Sequence, residues 1–298
     1  MNIYLDCIPC FLRQSLDAAR NITDDGGLHE QLLREVLRLA ADLDLNRPPP
    51  WVGQRIHRRL RELTGIADPY QGAKSRCNRL ALSMLPELRE RTRRDPNPLV
   101  AAAKVAIAAN VIDLGVKSQL DESQTAEVLR ESCSVDAYGD FADFQRRVED
   151  AREILYLADN AGEIAIDRLL IEELGPERVT LAVRGEAVIN DATIDDARAS
   201  NLHELVAIID NGSDAPGTIL DDCSGAFLER FKKADLIIAK GQGNFETLSE
   251  CDANIFFLLK VKCPVIATHV GLAPGTSALV RAPKARMAAK EAGDRRRP

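Results

Sequence analysis

The chain has 298 residues, 45% of them hydrophobic and 29% charged, with a formal net charge of -7 and 4% aromatics. That is enough apolar material for one large core or two modest ones, while the acidic balance and scarce aromatics argue against a general nucleic-acid binder. No apolar run reaches the roughly 18 residues that a membrane span needs, and Met1-Asn-Ile-Tyr-Leu-Asp-Cys7 has neither a basic leader nor a long apolar stretch, so a cytoplasmic protein with no membrane partner is expected.

The first half reads as helices. Apolar residues at helical spacing fall on Phe11, Leu12, Leu16 and Ala19, within a segment from Pro9 to Arg20. The same pattern runs from Leu28 to Leu45 and is stopped by Pro48-Pro-Pro50. Trp51 to Leu63, Tyr70 to Leu88 and Pro98 to Leu114 follow, and Ala101 to Ala109 is so alanine-rich that it predicts a helix buried all round. Asp121 to Ser132 and Phe141 to Ala151 complete a helical region over 1–150.

The rhythm changes near residue 152. Strand-length apolar runs at Ile154–Ala158, Val179–Val183, Leu205–Ile209, Leu236–Ala239, Ile255–Leu259 and Val265–Thr268 alternate with helical stretches at Glu163–Leu174, Thr193–Ala199 and Ala226–Lys233. This alternation predicts an α/β unit over 151–280 with a largely parallel sheet covered on both faces. The basic stretch 281–298 reads as a solvated tail.

Ligands bind outside the carboxyl ends of strands in such sheets, and polar residues collect there. Asp159-Asn160 follows the first run, with Glu163 just beyond. Arg184-Gly185 and then Asn190-Asp191 follow the second, Asp210-Asn211-Gly212 the third, and Lys240-Gly241-Gln-Gly243-Asn244 the fourth. Asp159, Asn160 and Asp191 are equally good helix caps, but together they make an all-oxygen set that suits a hard divalent cation such as magnesium or manganese. Gly241 and Gly243 would turn the backbone tightly toward a ligand. The spacing fits neither a Walker loop nor a dinucleotide fingerprint. Asn211 to Gly217 has the composition of a plain turn as well as that of a substrate-facing loop.

Cys7-Ile-Pro-Cys10 has metal or redox spacing, and Cys263 is a candidate to join it in space. Seven cysteines and no secretory signal predict reduced thiols. The four histidines form no ligand pair, although His269, placed after a strand, is within possible reach of the site.

The chain resembles the metal-dependent damage-control phosphatases, a family also called acidic-residue-methyltransferase-like, and within it the microbial branch with an N-terminal Cys-x-x-Cys. The resemblance rests on Asp159-Asn-Ala-Gly-Glu163, Arg184-Gly185 with Asn190-Asp-Ala-Thr193, Asn211-Gly212 with Ala215-Pro-Gly217, and Lys240-Gly-Gln-Gly-Asn-Phe-Glu246. Asp6-Cys-Ile-Pro-Cys10, Asp68-Pro-Tyr70 with Lys74, Asn110-Val-Ile-Asp113 and Lys262-Cys-Pro264 extend it over about residues 3 to 280. It implies a helical N-terminal region packed on a Rossmann-like three-layer domain. It also implies a divalent metal (magnesium, manganese, cobalt or nickel) on Asp159, Asn160 and Asp191, and hydrolysis of phosphate monoesters of small metabolites. Lys240 would match the family's phosphate-facing lysine, with Arg184, Asn211, Gly241 and Asn244 around the substrate and Glu163 or Asp210 as general base. A carboxyl methyltransferase using S-adenosylmethionine and a non-catalytic metal- or nucleotide-binding module are the competing expectations.

Overall fold

The computed structural model describes residues 1–111 and 122–282. Asp113, Asp121, the end of the helix expected to reach Leu114, and the basic tail from residue 283 lie outside the described residues.

Three N-terminal helices, α1 (Cys7–Ile22), α2 (Gly26–Ala41) and α3 (Pro49–Thr64), share their own core around Phe11, Leu32, Val36, Ile56 and Leu60. The stop after α2 and the start of α3 follow from Pro48–Pro50, with Pro49 and Pro50 in the first turn of α3, where a missing amide costs nothing. The next helices, α4 (Gln71–Arg94), α5 (Pro98–Ala108), α6 (Glu122–Ser132) and α7 (Phe141–Asp150), belong to a different layer. Met84, Leu88, Ala102, Ala106, Ile107 and Phe144 share one hydrophobic core with the side chains on one face of the sheet. The alanine-rich α5 is buried nearly all round, as its composition predicts.

The sheet has strand order β3-β2-β1-β4-β5-β6, with β1 (Ile154–Leu157), β2 (Val179–Val183), β3 (Ala207–Asp210), β4 (Leu236–Lys240) and β5 (Ile255–Lys260) parallel. Alternation sorts the side chains of β1. Ile154 and Tyr156 face α4, α5 and α8 (Glu163–Leu174), while Leu155 and Leu157 face α10 (Gly225–Lys233), α11 (Gly241–Leu248) and α12 (Pro264–Val270). The last connection of this layer, α9 (Ile194–Ala199), runs between β2 and β3. The expected α/β class and mostly parallel sheet are present.

One local expectation is overturned. Val265–Thr268 is helix α12, not a strand: Pro264 occupies its first turn, and Gly271 closes it in the left-handed region at φ 70°. Four apolar residues are too few for period to decide, and the punctuation decided instead. The sixth strand is β6 (Ser277–Arg281), which pairs antiparallel with β5. Lys240-Gly-Gln-Gly-Asn244 turns tightly, as its glycines predict. Helix α11 begins at Gly241, which takes φ 77° to turn the chain at once from strand to helix.

Candidate metal and phosphate site

The strand order reverses between β1 and β4, and the candidate residues gather where those two strands end. Beyond β1 the chain pairs briefly with the segment after β2. Ala192 N donates to Asp159 O (2.7 Å), Ala161 N donates to Asn190 O (2.8 Å), and Asn160 and Asp191 form an antiparallel bridge. This short ladder sets Asp159, Asn160 and Asp191 side by side. Ile189, at φ 47°, turns the chain into it, a conformation that costs a β-branched residue about 1–3 kcal/mol.

The side chains are buried and acidic. Asp159 Oδ2 accepts from Asn160 Nδ2 (2.8 Å) and Asn110 Nδ2 (3.1 Å), and the same two amides reach Glu163 Oε2 at 3.0 and 2.9 Å. Arg184 Nε donates to Asp191 Oδ2 (2.7 Å), and its Nη2 stands 3.9 Å from Asp159 Oδ1. Burial, then the Glu163 and Asp191 carboxylates, push the Asp159 carboxyl up to about 8, against the smaller opposing pull of Lys262 and Arg184. Asp159 keeps 11% of its side chain exposed and Asp191 6%, whereas Glu163 and Asp167 keep none, so approach is from the Asp159 side.

Lys240 lies fully buried between two carboxylates, with Nζ 2.6 Å from Glu163 Oε1 and 2.5 Å from Asp167 Oδ1. Burial alone would lower its pKa, but the Asp167 and Glu163 charges outweigh it and push it up to about 12. Burial in turn lifts Asp167 to about 6, against the pull of Lys240. Asn244 ties the strand ends together. Its Nδ2 donates to Lys240 O (2.8 Å) and Ala158 O (3.2 Å), and its Oδ1 accepts from Thr218 Oγ1 (2.8 Å) and Arg184 Nη1 (3.3 Å).

Of the other expected residues, Asn211 shapes the seam beside Arg184, its Oδ1 accepting from Gly185 N (3.1 Å) and Ser213 N (2.9 Å). Asp210 is exposed and its Oδ1 accepts from Gly212 N (2.9 Å), which places it in a surface turn apart from the buried hydrogen-bonded group. His269, in the last turn of α12, is exposed and meets Tyr4 at the surface.

Four residues that sequence reasoning did not assign belong to this site. Asp167 stands one helical turn beyond Glu163 on the same face, a spacing that was open to reading. Asn110 ends an otherwise apolar helical stretch. Thr218 holds Asn244. Lys262 is exposed, follows β5, and its charge is felt at Asp159. The Asp68…Lys74 motif is scaffold: buried Lys74 Nζ pairs with Asp196 (2.7 Å) and Asp68 (3.2 Å), Asn78 Nδ2 donates to Asp196 (2.9 Å), and Gly162 N donates to Asn78 Oδ1 (2.6 Å). That chain of contacts supports the turn between Asp159 and α8.

Among the described residues, no three histidine, cysteine, aspartate or glutamate side chains converge as a closed metal set. Asp159, Asp191 and Asn160 offer instead two carboxylates and an amide, leaving room for waters or substrate oxygens, as hard divalent ions accept. Buried carboxylates that repel one another, with Asn110 Oδ1 lacking a hydrogen-bond partner, fit a cation at this position.

Comparison with known proteins agrees with the geometry. The model of the damage-control phosphatase ARMT1-like domain matches residues 3–277. An uncharacterized protein, MJ0202, from Methanocaldococcus jannaschii is 36% identical over 93% of this chain and 94% of its own length. A damage-control phosphatase from Archaeoglobus fulgidus is 35% identical over 90% of this chain and 95% of its own. The crystal structure of PH1575, a DUF89 family protein from Pyrococcus horikoshii, superposes with a TM-score of 0.86 at 31% identity, over 95% of this chain and 99% of that one. Matched over nearly its whole length by the family model and by relatives above 30% identity, the chain belongs to the damage-control phosphatase ARMT1-like family.

Proposed function

We propose that this protein is a divalent-metal-dependent phosphatase that hydrolyses phosphate monoesters of small metabolites, such as sugar phosphates or nucleotides, to the free alcohol and inorganic phosphate. Its relatives' name, damage-control phosphatase, supports a role in metabolite repair. The observation that carries the reading is the pair of Asp159 and Asp191 carboxylates at the sheet's switch point, brought together by the Asn160–Asp191 backbone bridge, with Arg184 between the two acids.

Asp159, Asp191 and the Asn160 amide oxygen hold the cation in this reading. A bound divalent ion supplies Lewis-acid neutralisation of phosphoryl charge. The chain's own groups do the rest. Arg184, fixed by Asp191, Thr218 and Asn244, stands ready to donate to phosphoryl oxygens through Nη2, a buried donor with no hydrogen-bond partner among the described residues. The phosphate-facing role that the resemblance gives to Lys240 passes in this reading to Lys262, which is exposed and whose charge lowers the Asp159 pKa. Lys240 holds Glu163 in place, and Glu163 in turn holds the Asn160 amide beside Asp159.

The reading is tested by a panel of phosphate monoesters assayed for phosphate release with magnesium, manganese, cobalt or nickel, with and without chelator. Metal-dependent release from at least one ester class is expected. Absence of turnover on every ester, or binding of S-adenosylmethionine by the metal-free protein, would count against it.

A further inference from the structure

The N-terminal segment docks on the far side of α11, next to the strand-end site. The Met1 ammonium donates to Glu246 O (2.6 Å), and the Tyr4 hydroxyl meets His269 Nδ1 (3.5 Å). Gln242, on α11, donates to Glu246 Oε1 (2.8 Å) and reaches Cys263 Sγ (3.8 Å), while its Oε1 accepts from Lys262 N (3.3 Å). Into this seam α1 brings two thiols. Cys7 is its first residue, half-buried and within electrostatic reach of Glu246, Cys263 and Cys10, and Cys10 stands one turn on, exposed at the surface. All seven cysteines are reduced.

Residues three apart on a helix share a face with Cβ atoms about 5–6 Å apart, and a disulfide needs about 3.5–4.5 Å, so closing the bond requires the first turn of α1 to tighten by about 1–2 Å. An exposed thiol beside a recessed one, at a helix start, is the arrangement of a thiol–disulfide couple, with one sulfur to be attacked from outside and one to resolve. A closed metal set is not formed there among the described residues.

We propose that Cys7 and Cys10 form a reversible redox couple that exchanges with small-molecule disulfides of the glutathione type. The Cys10 thiolate attacks one sulfur of the external disulfide, forming a mixed disulfide and releasing one small thiolate. Cys7 then gives its proton to solvent and its sulfur attacks Cys10 Sγ, releasing the second small thiolate and closing the Cys7–Cys10 bond. Two protein thiols are oxidised as one external disulfide is reduced to two thiols. Burial, which holds the Cys7 thiol above its ordinary value, makes it the slower, resolving partner.

The test is to equilibrate the reduced full-length protein in glutathione buffers of graded ratio, quench with acid, alkylate, and read intact mass and peptide maps. Two thiols are expected to disappear together, without added glutathione mass, and to map to Cys7 and Cys10 while the other five still alkylate. Cys7→Ser is expected to leave glutathione on Cys10, Cys10→Ser to form no pair, and Cys223→Ser to behave as wild type. The proposal is overturned if wild-type Cys10 stays glutathionylated with Cys7 reduced, or if Cys7 pairs with Cys263 instead. Equimolar zinc that co-purifies and is lost in Cys7→Ser would also overturn it.

Discussion

The Asp159 carboxylate rests on the bare Cα of Gly241: a Cβ there would lie 1.9 Å from Asp159 Oδ2 and 2.6 Å from Oδ1. A glycine that lets β4 turn into α11 at φ 77° is thus also what leaves room for the first candidate ligand after β1. Gly241→Ala is expected to lose activity and to destabilise the protein, with about 1–3 kcal/mol from the backbone alone. Gly26→Ala, where a Cβ meets nothing within 4 Å, is the control for both urea unfolding and phosphate release.

The two lysines at the site are expected to fail differently. Lys240→Met leaves Glu163 and Asp167 buried without their cation, so a stability loss of about 3–5 kcal/mol is expected in denaturant unfolding. Lys262→Ala is expected to keep the wild-type unfolding midpoint and to lower kcat/KM by about 100-fold, the size of one lost charge-stabilising donor. If Lys262→Ala is fully active, the phosphate-facing assignment returns to another group.

The seam between α3 and the loop after β3 has its own pH signature. Burial works against the Asp214 carboxylate, but hydrogen bonds from Arg58, Arg61 and Gln54 prevail and hold its pKa down to about 2. A carboxylate depressed in the folded state contributes its stability above the unfolded value of about 3.9 and loses it as pH falls through the folded value. Urea midpoints of wild type and Asp214→Asn should therefore differ above pH 4 and converge between pH 4 and pH 2. A difference that persists undiminished at pH 2 would contradict this account.

Cation binding should also be visible without turnover. A divalent ion at 100 times its Kd adds about 2.7 kcal/mol, which raises Tm by several degrees in a protein of this size. Calorimetric scans with manganese should show that shift in wild type and not in Asp191→Asn. Equal shifts in both would place the ion elsewhere.

Much of the site was legible because strands buried on both faces end abruptly in polar residues. Asp159, Asn160 and Lys240 stand where apolar runs stop, which brings them to one edge of a parallel sheet, and Asp191, well beyond the end of β2, is returned to that edge by its bridge to Asn160. What Lys240 does there was not legible, because its environment is made by Asp167 and Glu163 on a helix 73 and 77 residues away in the chain. The same holds for Asn110, which arrives from the helical half. Lys262 stands just past the end of β5 in the same way, one strand further along the sheet. Helix α12 was hidden by an apolar run of four, although Pro264 and Gly271 marked both of its ends.

The central claim is that Asp159 and its neighbours hold a cation that phosphate-ester hydrolysis requires. The most direct measurement compares phosphate release by wild type and Asp159→Asn, each stripped with chelator and then reloaded with manganese, on the best ester of the panel. Wild type should lose turnover on stripping and regain it on reloading, while Asp159→Asn stays folded and inactive in both states. Turnover that survives chelation, or that Asp159→Asn retains at the wild-type rate, would contradict the account.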